Sequence, residues 1–189
     1  MSHDCQGVLY LQKLFEHYKA EQVSSPVANK DVHRLLLLRA LQLGDDVKIV
    51  DIRVAYLNAK LDDDEVMYMK PKNDWPGIPP NTVLRILRCI PGLKQSGHKW
   101  HKLLTETMKK LGFKQSEVDP CLYLKHNDDG PIAGVASVHV DDMLMTGDRA
   151  VINRLREELG RSLKSMTWKM LNSTWASALT MTSRMENYN

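Results

Sequence analysis

The sequence predicts an α+β fold, a small antiparallel sheet packed on helices. Strand-like and helical runs are mixed without the regular βαβ alternation of a doubly wound sheet. Asp141-Asp142 lies between two apolar runs, residues 132–140 and 143–145, which is the pattern of a hairpin with its acidic pair near the turn. The clearest helix carries Trp100, Leu103, Leu104, Met108 and Leu111 on one face.

Taken in order, Val8, Leu11, Phe15 and Tyr18 recur at helical spacing, and Ser24-Ser25-Pro26 breaks that helix. A second helix is expected over residues 30–43, capped by Asn29 or Asp31 and ended by Gly44. Residues 47–51 read as a short strand with Asp51 at its end. Residues 62–65, Asp-Asp-Asp-Glu, form an acidic loop, and a strand over 66–69 leads away from it. Four prolines and a glycine in residues 71–80 mark an irregular loop, and 83–90 reads as a strand.

The helix that follows ends at Gly112. Its other face carries Lys99, Lys102, Lys109 and Lys110, a solvated face or one that lies along phosphates. A strand at 122–125, a turn at Asn127-Asp128-Asp129-Gly130 and a strand at 132–140 complete the hairpin region. Asp148 is placed to cap a last helix with Val151, Ile152, Leu155 and Leu159 inward.

The 189 residues suffice for one compact domain, and the 43% hydrophobic and 26% charged fractions are those of a globular protein. A net charge of +3 permits a nucleic-acid partner without demanding one. Three cysteines, Cys5, Cys89 and Cys121, without a CxxC pair argue against a disulfide framework and for a reducing compartment. His98 and His101 are close, but no cysteine pair completes a zinc pattern. The longest aliphatic run, residues 35–38, is far too short for a membrane span, and the N-terminus lacks the regions of a signal peptide.

The chemistry-bearing candidates are carboxylates. Asp141 and Asp142 among strands are costly unless neutralised, and Mg²⁺ prefers hard oxygen ligands supplied by one or two carboxylates plus phosphates. An ordinary polar turn is the simpler alternative. Asp51, at the end of its own strand, is the third carboxylate of the set.

Several blocks in order resemble one family. Asp51-Ile52-Arg53-Val54-Ala55-Tyr56-Leu57-Asn58 is similar to the first-aspartate segment of copia-type retrotransposon reverse transcriptases. Gly92-Leu93-Lys94-Gln95-Ser96 with Trp100 resembles that family's Gly-Leu-Lys-Gln-Ser-Pro block. Gly112-Phe113-Lys114-Gln115-Ser116, then Asp119-Pro120-Cys121-Leu122-Tyr123, matches the next block, and Val140-Asp141-Asp142-Met143-Leu144 resembles its Tyr-Val-Asp-Asp-Met-Leu signature. Ser25-Pro26-Val27 and Arg34-Leu35-Leu36 keep the same register.

The resemblance implies a polymerase palm with part of the fingers over residues 1–165, and an unmatched tail over 166–189. It implies RNA-directed DNA polymerase activity with two Mg²⁺ or Mn²⁺ ions, held by Asp51, Asp141 and Asp142 as catalytic and metal-binding residues. Tyr56 would lie beneath the incoming sugar and exclude a 2′-hydroxyl. Gly92, Lys94, Gln95, Ser96 and His139 would lie near nucleotide and template. The implied partners are an RNA or DNA template with its primer and deoxynucleoside triphosphates, with no membrane. The implied location is a cytoplasmic virus-like particle or the nucleus.

The chain departs from the pattern at His139 (usually tyrosine), Pro91 (tyrosine), Gly97 (proline) and His98 (arginine), none of which removes a carboxylate. The match fades after Leu163, and the thumb, connection and ribonuclease H regions of the family are not recognisable. That reads as a truncated or degenerate copy, weak or inactive as an isolated chain. The alternatives are a non-catalytic remnant that binds nucleic acid or protein through the lysines of residues 99–110, and an unrelated Mg²⁺-dependent phosphohydrolase.

Overall fold

In a computed structural model of the chain, the described residues are 23, 25–71, 75–128, 130–163 and 166–171. The helix expected around Val8–Tyr18 and the tail beyond 171 lie outside them. The chain divides into two compact units: one holds Val54–Leu104, the other joins Pro26–Arg53 to the chain from Thr105 onward.

The larger unit is built on a six-stranded antiparallel sheet, β1 (Val47–Ile52), β4 (Lys114–Gln115), β5 (Leu122–His126), β6 (Ile132–His139), β7 (Asp142–Gly147) and β8 (Met166–Leu171), in the order β4-β5-β6-β7-β1-β8. Antiparallel partners share a face. One face, here the back, therefore carries Val50, Ile52, Met143, Met145, Ala136, Val138 and Tyr123, all buried.

Two helices cover this back face. The first, α4 (Arg149–Ser162), buries Ile152, Leu155 and Leu159 at the expected helical spacing. It approaches β6 so closely that a Cβ on Gly134 would strike the Val151 side chain. The second, α3 (Ser96–Lys110), reaches the sheet where Thr105 Oγ1 and Tyr123 OH share a buried hydrogen bond of 2.7 Å. Burial pushes the Tyr123 phenol up to about 12.

The opposite, front face is buried at one end and open at the other. Val47, Thr146 and Val135 are buried, Ile49 and Leu144 are half-buried, and Asp142 and His139 are exposed. Helix α1 (Lys30–Leu43) packs on β6 and β7 through Leu36 and Ala40. Asn29 Oδ1 accepts from the Asp31 N–H at 2.9 Å, and Gly44 ends α1 in the left-handed conformation, both as expected. Gly147 has φ 137°, and any Cβ there would collide with the Ala133 carbonyl, so only glycine closes this end of the hairpin.

The smaller unit holds a one-turn helix α2 (Ala55–Asn58), the start of α3 and a two-stranded ribbon, β2 (Met67–Met69) with β3 (Leu84–Ile86). Its core is Ala59, Leu61, Ile86, Cys89 and Leu93, with Tyr56, Met67, Met69, Ile90 and Leu103 packed against it.

Four readings need correction. The strand expected over 83–90 shortens to Leu84–Ile86, with an isolated bridge from Arg88 to Lys60. Asp148 stands at the α4 N-cap without a side-chain cap bond, its carboxylate instead lying 3.5 Å from Asn127 Nδ2. The short elements α2 and β4 were not anticipated. Residues 166–171, read as patternless tail, are a sheet strand paired with β1 along its whole length.

Candidate active site

The open end of the front face brings the three aspartate positions together. Asp51 closes β1 and Asp142 opens β7, and the two are register partners across the ladder. Directly opposed residues of an antiparallel pair have Cβ atoms about 4.5–5.5 Å apart. Asp141 occupies the two-residue turn between β6 and β7, and its carbonyl accepts from the Ile52 N–H at 2.7 Å, which ties the turn to the end of β1. His139 pairs with Asp142 on the other side, so Asp51, Asp142 and His139 stand in a row on one face.

The turn is strained. Val140 is its first central residue and has φ 53°, a position that two-residue turns give to glycine. Left-handed backbone costs a side-chain-bearing residue about 1–2 kcal/mol. Such outliers persist where surrounding structure holds them, and they cluster at functional sites. Val54, three residues after Asp51, is a second valine at φ 53°, at the start of α2.

Asp51 is half-buried, Asp141 and Asp142 are exposed, and none of the three carboxylates has a hydrogen-bond or ion-pair partner among the described residues. Beside them, His33 on α1 has its Nε2 buried without a partner. Burial, and then the neighbouring His139, lower the His33 pKa against the opposing pull of Asp119. Asp119 itself is buried and accepts from the N–H groups of Asn29 (3.2 Å) and Cys121 (2.7 Å), a structural tie.

The other candidate residues belong to the smaller unit. Gly92 and Lys94 are exposed. Gln95 and Ser96 are buried: Gln95 Nε2 lies 3.7 Å from Met67 Sδ, and Ser96 Oγ donates to the Ile90 carbonyl at 2.7 Å. Tyr56 is half-buried against the local core. The lysine face of α3 is not continuous as drawn from the sequence. Lys99 is withdrawn into ion pairs with Asp62 (2.5 Å) and Glu65 (2.9 Å), leaving Lys102, Lys109 and Lys110 exposed.

A sequence profile of the family described as reverse transcriptase (RNA-dependent DNA polymerase) matches residues 5–173. The chain belongs to the reverse transcriptase family. It is 28% identical over 167 residues to the retrovirus-related Pol polyprotein from transposon TNT 1-94 of Nicotiana tabacum, covering 84% of this chain and 12% of that protein. It is 33% identical over 115 residues to a transposon Ty5-1 protein of Saccharomyces cerevisiae, covering 58% of this chain and 35% of that one. It is 30% identical over 128 residues to the retrovirus-related Pol polyprotein from transposon RE2 of Arabidopsis thaliana, covering 68% of this chain and 9% of that one. The chain thus spans a small part of these relatives, and the copia-type resemblance of its sequence blocks holds. The family match runs past residue 165 and takes in β8.

The donor set of this reverse transcriptase chain suits a divalent cation. Three carboxylates without a cationic partner among the described residues are the hard oxygen donors that Mg²⁺ or Mn²⁺ takes. Among the described residues, no three His, Cys, Asp or Glu side chains converge tightly enough to enclose an ion as they stand. No helix among the described residues is long and apolar enough to cross a membrane.

Proposed function

We propose that the chain is the palm, with part of the fingers, of an RNA-directed DNA polymerase from a copia-type retrotransposon, and that Asp51, Asp141 and Asp142 hold Mg²⁺ or Mn²⁺ for nucleotidyl transfer. The observation that carries this is the register pairing of Asp51 with Asp142 at the open end of the sheet, with Asp141 in the adjoining turn. Residues about 90 positions apart in sequence reach one corner of one face.

Held by Asp51, Asp141 and Asp142, a divalent ion would supply charge for the phosphates and lower the pKa of the attacking hydroxyl. The protein's own part is placement. The β1–β7 ladder fixes Asp51 against Asp142, the Ile52 N–H holds the turn through the Asp141 carbonyl, and the buried back face makes the platform rigid. Phosphoryl transfer asks little covalent chemistry of a protein, so position and charge do most of the work.

Lys94 and Gly92, exposed in the smaller unit, are the motif residues available to nucleotide or template, and Tyr56 is the candidate for sensing the sugar. Gln95 and Ser96 act by holding the motif together from inside. The remnant reading loses ground because Lys99, part of its proposed lysine face, is already paired.

The test is template-directed primer extension with Mg²⁺, using the wild-type chain and Asp141→Asn. Weak incorporation that follows the template, and that disappears in the variant, is the expected result. Incorporation that persists in the variant, or phosphate release from a simple ester without template, contradicts the reading.

A further inference from the structure

The outer face of the β2–β3 ribbon is unlike an ordinary solvated sheet face. Burial alternates along both strands and the residue flanking each end: Met67, Met69, Leu84 and Ile86 turn inward, and Val66, Tyr68, Lys70, Val83, Arg85 and Leu87 are exposed. A one-sided antiparallel sheet normally reads polar on its outside. Here four of the six outward residues are apolar or aromatic, with exposures of 52% (Val66), 45% (Tyr68), 57% (Val83) and 67% (Leu87). The other two are cations and none is acidic.

Tyr68 and Arg85 are register partners, and the side chains of Tyr68, Arg85 and Lys70 make no hydrogen bond or ion pair among the described residues. The acidic loop ahead of Val66 is partly neutralised, since Lys99 holds Asp62 and Glu65. At the Lys70 end the face runs into an open cavity of about 280 Å³, lined by Lys70, Pro71, Ile78, Asn81 and Thr82 among others.

We propose that this face binds single-stranded nucleic acid, with a base stacked on Tyr68, phosphates on Arg85 and Lys70, and the flanking aliphatic residues against sugars and bases. An exposed aromatic between unpaired cations on an open sheet face has the chemistry of single-strand platforms: π-faces for bases of any sequence and positive charge for the backbone. A duplex hides its base faces and cannot use Tyr68. The assignment rests on the polymerase reading, which supplies a single-stranded template, but it concerns binding alone and needs no metal.

Anisotropy of a labelled single-stranded oligonucleotide of about 12 nucleotides, within the usual site sizes, is followed in EDTA with the full chain. Tyr68→Ala is expected to weaken binding about 5- to 100-fold, the range for one lost base stack. Tyr68→Phe keeps the ring and stays near wild type. Arg85→Gln and Lys70→Gln each reduce the salt slope by about 0.7. A duplex competes poorly. Photocross-linking of an iodouracil oligonucleotide to wild-type protein, which depends on no variant's folding, is expected to mark Tyr68.

The proposal is overturned if wild type does not bind, or if a natively melting Tyr68→Ala binds unchanged. Cross-links that map elsewhere, a duplex that competes equally, or a Tyr68→Ala change that only turns a dimer into a monomer overturn it as well. Wild type that binds through Tyr68 but never extends a primer sinks the polymerase reading alone. Extension with normal binding by the ribbon variants sinks only this one.

Discussion

The carboxylate end of the sheet and the Gly92–Lys99 stretch of the smaller unit carry the chain's two most recognisable polar motifs, and the structure treats them in opposite ways. Asp51, Asp141 and Asp142 come together at a strand end with no partner among the described residues. Gln95, Ser96 and Lys99 are drawn inward and held by Met67, the Ile90 carbonyl, Asp62 and Glu65. Polar groups drawn into internal bonds serve the fold directly, whereas carboxylates gathered at one strand end with no protein partner contribute little to it and stay open to water or a ligand. A motif recognised as one functional block can therefore contain both kinds.

The largest expected contrast is between activity and stability at the sheet end. Asp51→Asn or Asp141→Asn should lower primer extension at least about 100-fold, the scale of removing one preorganised charge-stabilising group. Urea unfolding should shift by no more than about 0.5 kcal/mol, as for an unpartnered surface residue. Equal losses in both measurements would erase the contrast.

The mirror result is expected in the smaller unit. Ser96→Ala removes a buried hydrogen bond to the Ile90 carbonyl, which keeps its 3.3 Å bond from the Leu93 N–H, and should cost about 0.5–1.5 kcal/mol of stability in urea unfolding. If Ser96→Ala leaves stability untouched and abolishes extension, Ser96 belongs with the carboxylates instead.

Val140→Gly sharpens the comparison further. It relieves the positive φ, so stability should rise by up to about 1 kcal/mol while extension falls, because the turn that aims Asp141 becomes freer. A loss of stability in urea unfolding would show that Val140 is not strained.

The smallest effect concerns pH. Burial opposes the charge on Lys99, but hydrogen bonds to Asp62 and Glu65 outweigh it and hold its pKa above the ordinary lysine value of 10.5. A raised folded pKa means that this contribution is fully present below pH 10.5 and is lost as pH rises through the folded value. Wild type should accordingly lose stability relative to Lys99→Met above pH 10.5 and show no such difference in pH dependence between pH 7 and 9. Parallel melting curves for the two proteins across that alkaline range would remove the ion pair from the account.

Much of this arrangement is legible in the sequence. Helix α1 with its Asn29 and Gly44 caps, the apolar stripe of α3, the β6–β7 hairpin and the Asp51 strand follow from periodicity and local turn chemistry. The meeting of Asp51 with Asp142 does not. Pairing of β1 with β7 is long-range, and it entered the sequence reading only through family resemblance. Strand β8 was missed because its Ser-, Thr- and Met-rich surroundings carry no alternation, and an edge strand is held by backbone bonds to β1 that leave no sequence mark. The internal bonds of Ser96 and Lys99 are hidden from the sequence for a related reason. A hydroxyl or ammonium looks exposed in a sequence until the Ile90 carbonyl or the 62–65 loop is placed beside it.

The most direct measurement is site-directed backbone cleavage with Fe²⁺ substituted for Mg²⁺ in the full chain, in the presence of ascorbate and peroxide. The account predicts cuts near residue 51 and near residues 141–142 together, both suppressed by excess Mg²⁺ and both lost in Asp141→Asn. Cleavage at only one of these places, or cuts that survive Asp141→Asn, would contradict a shared metal site.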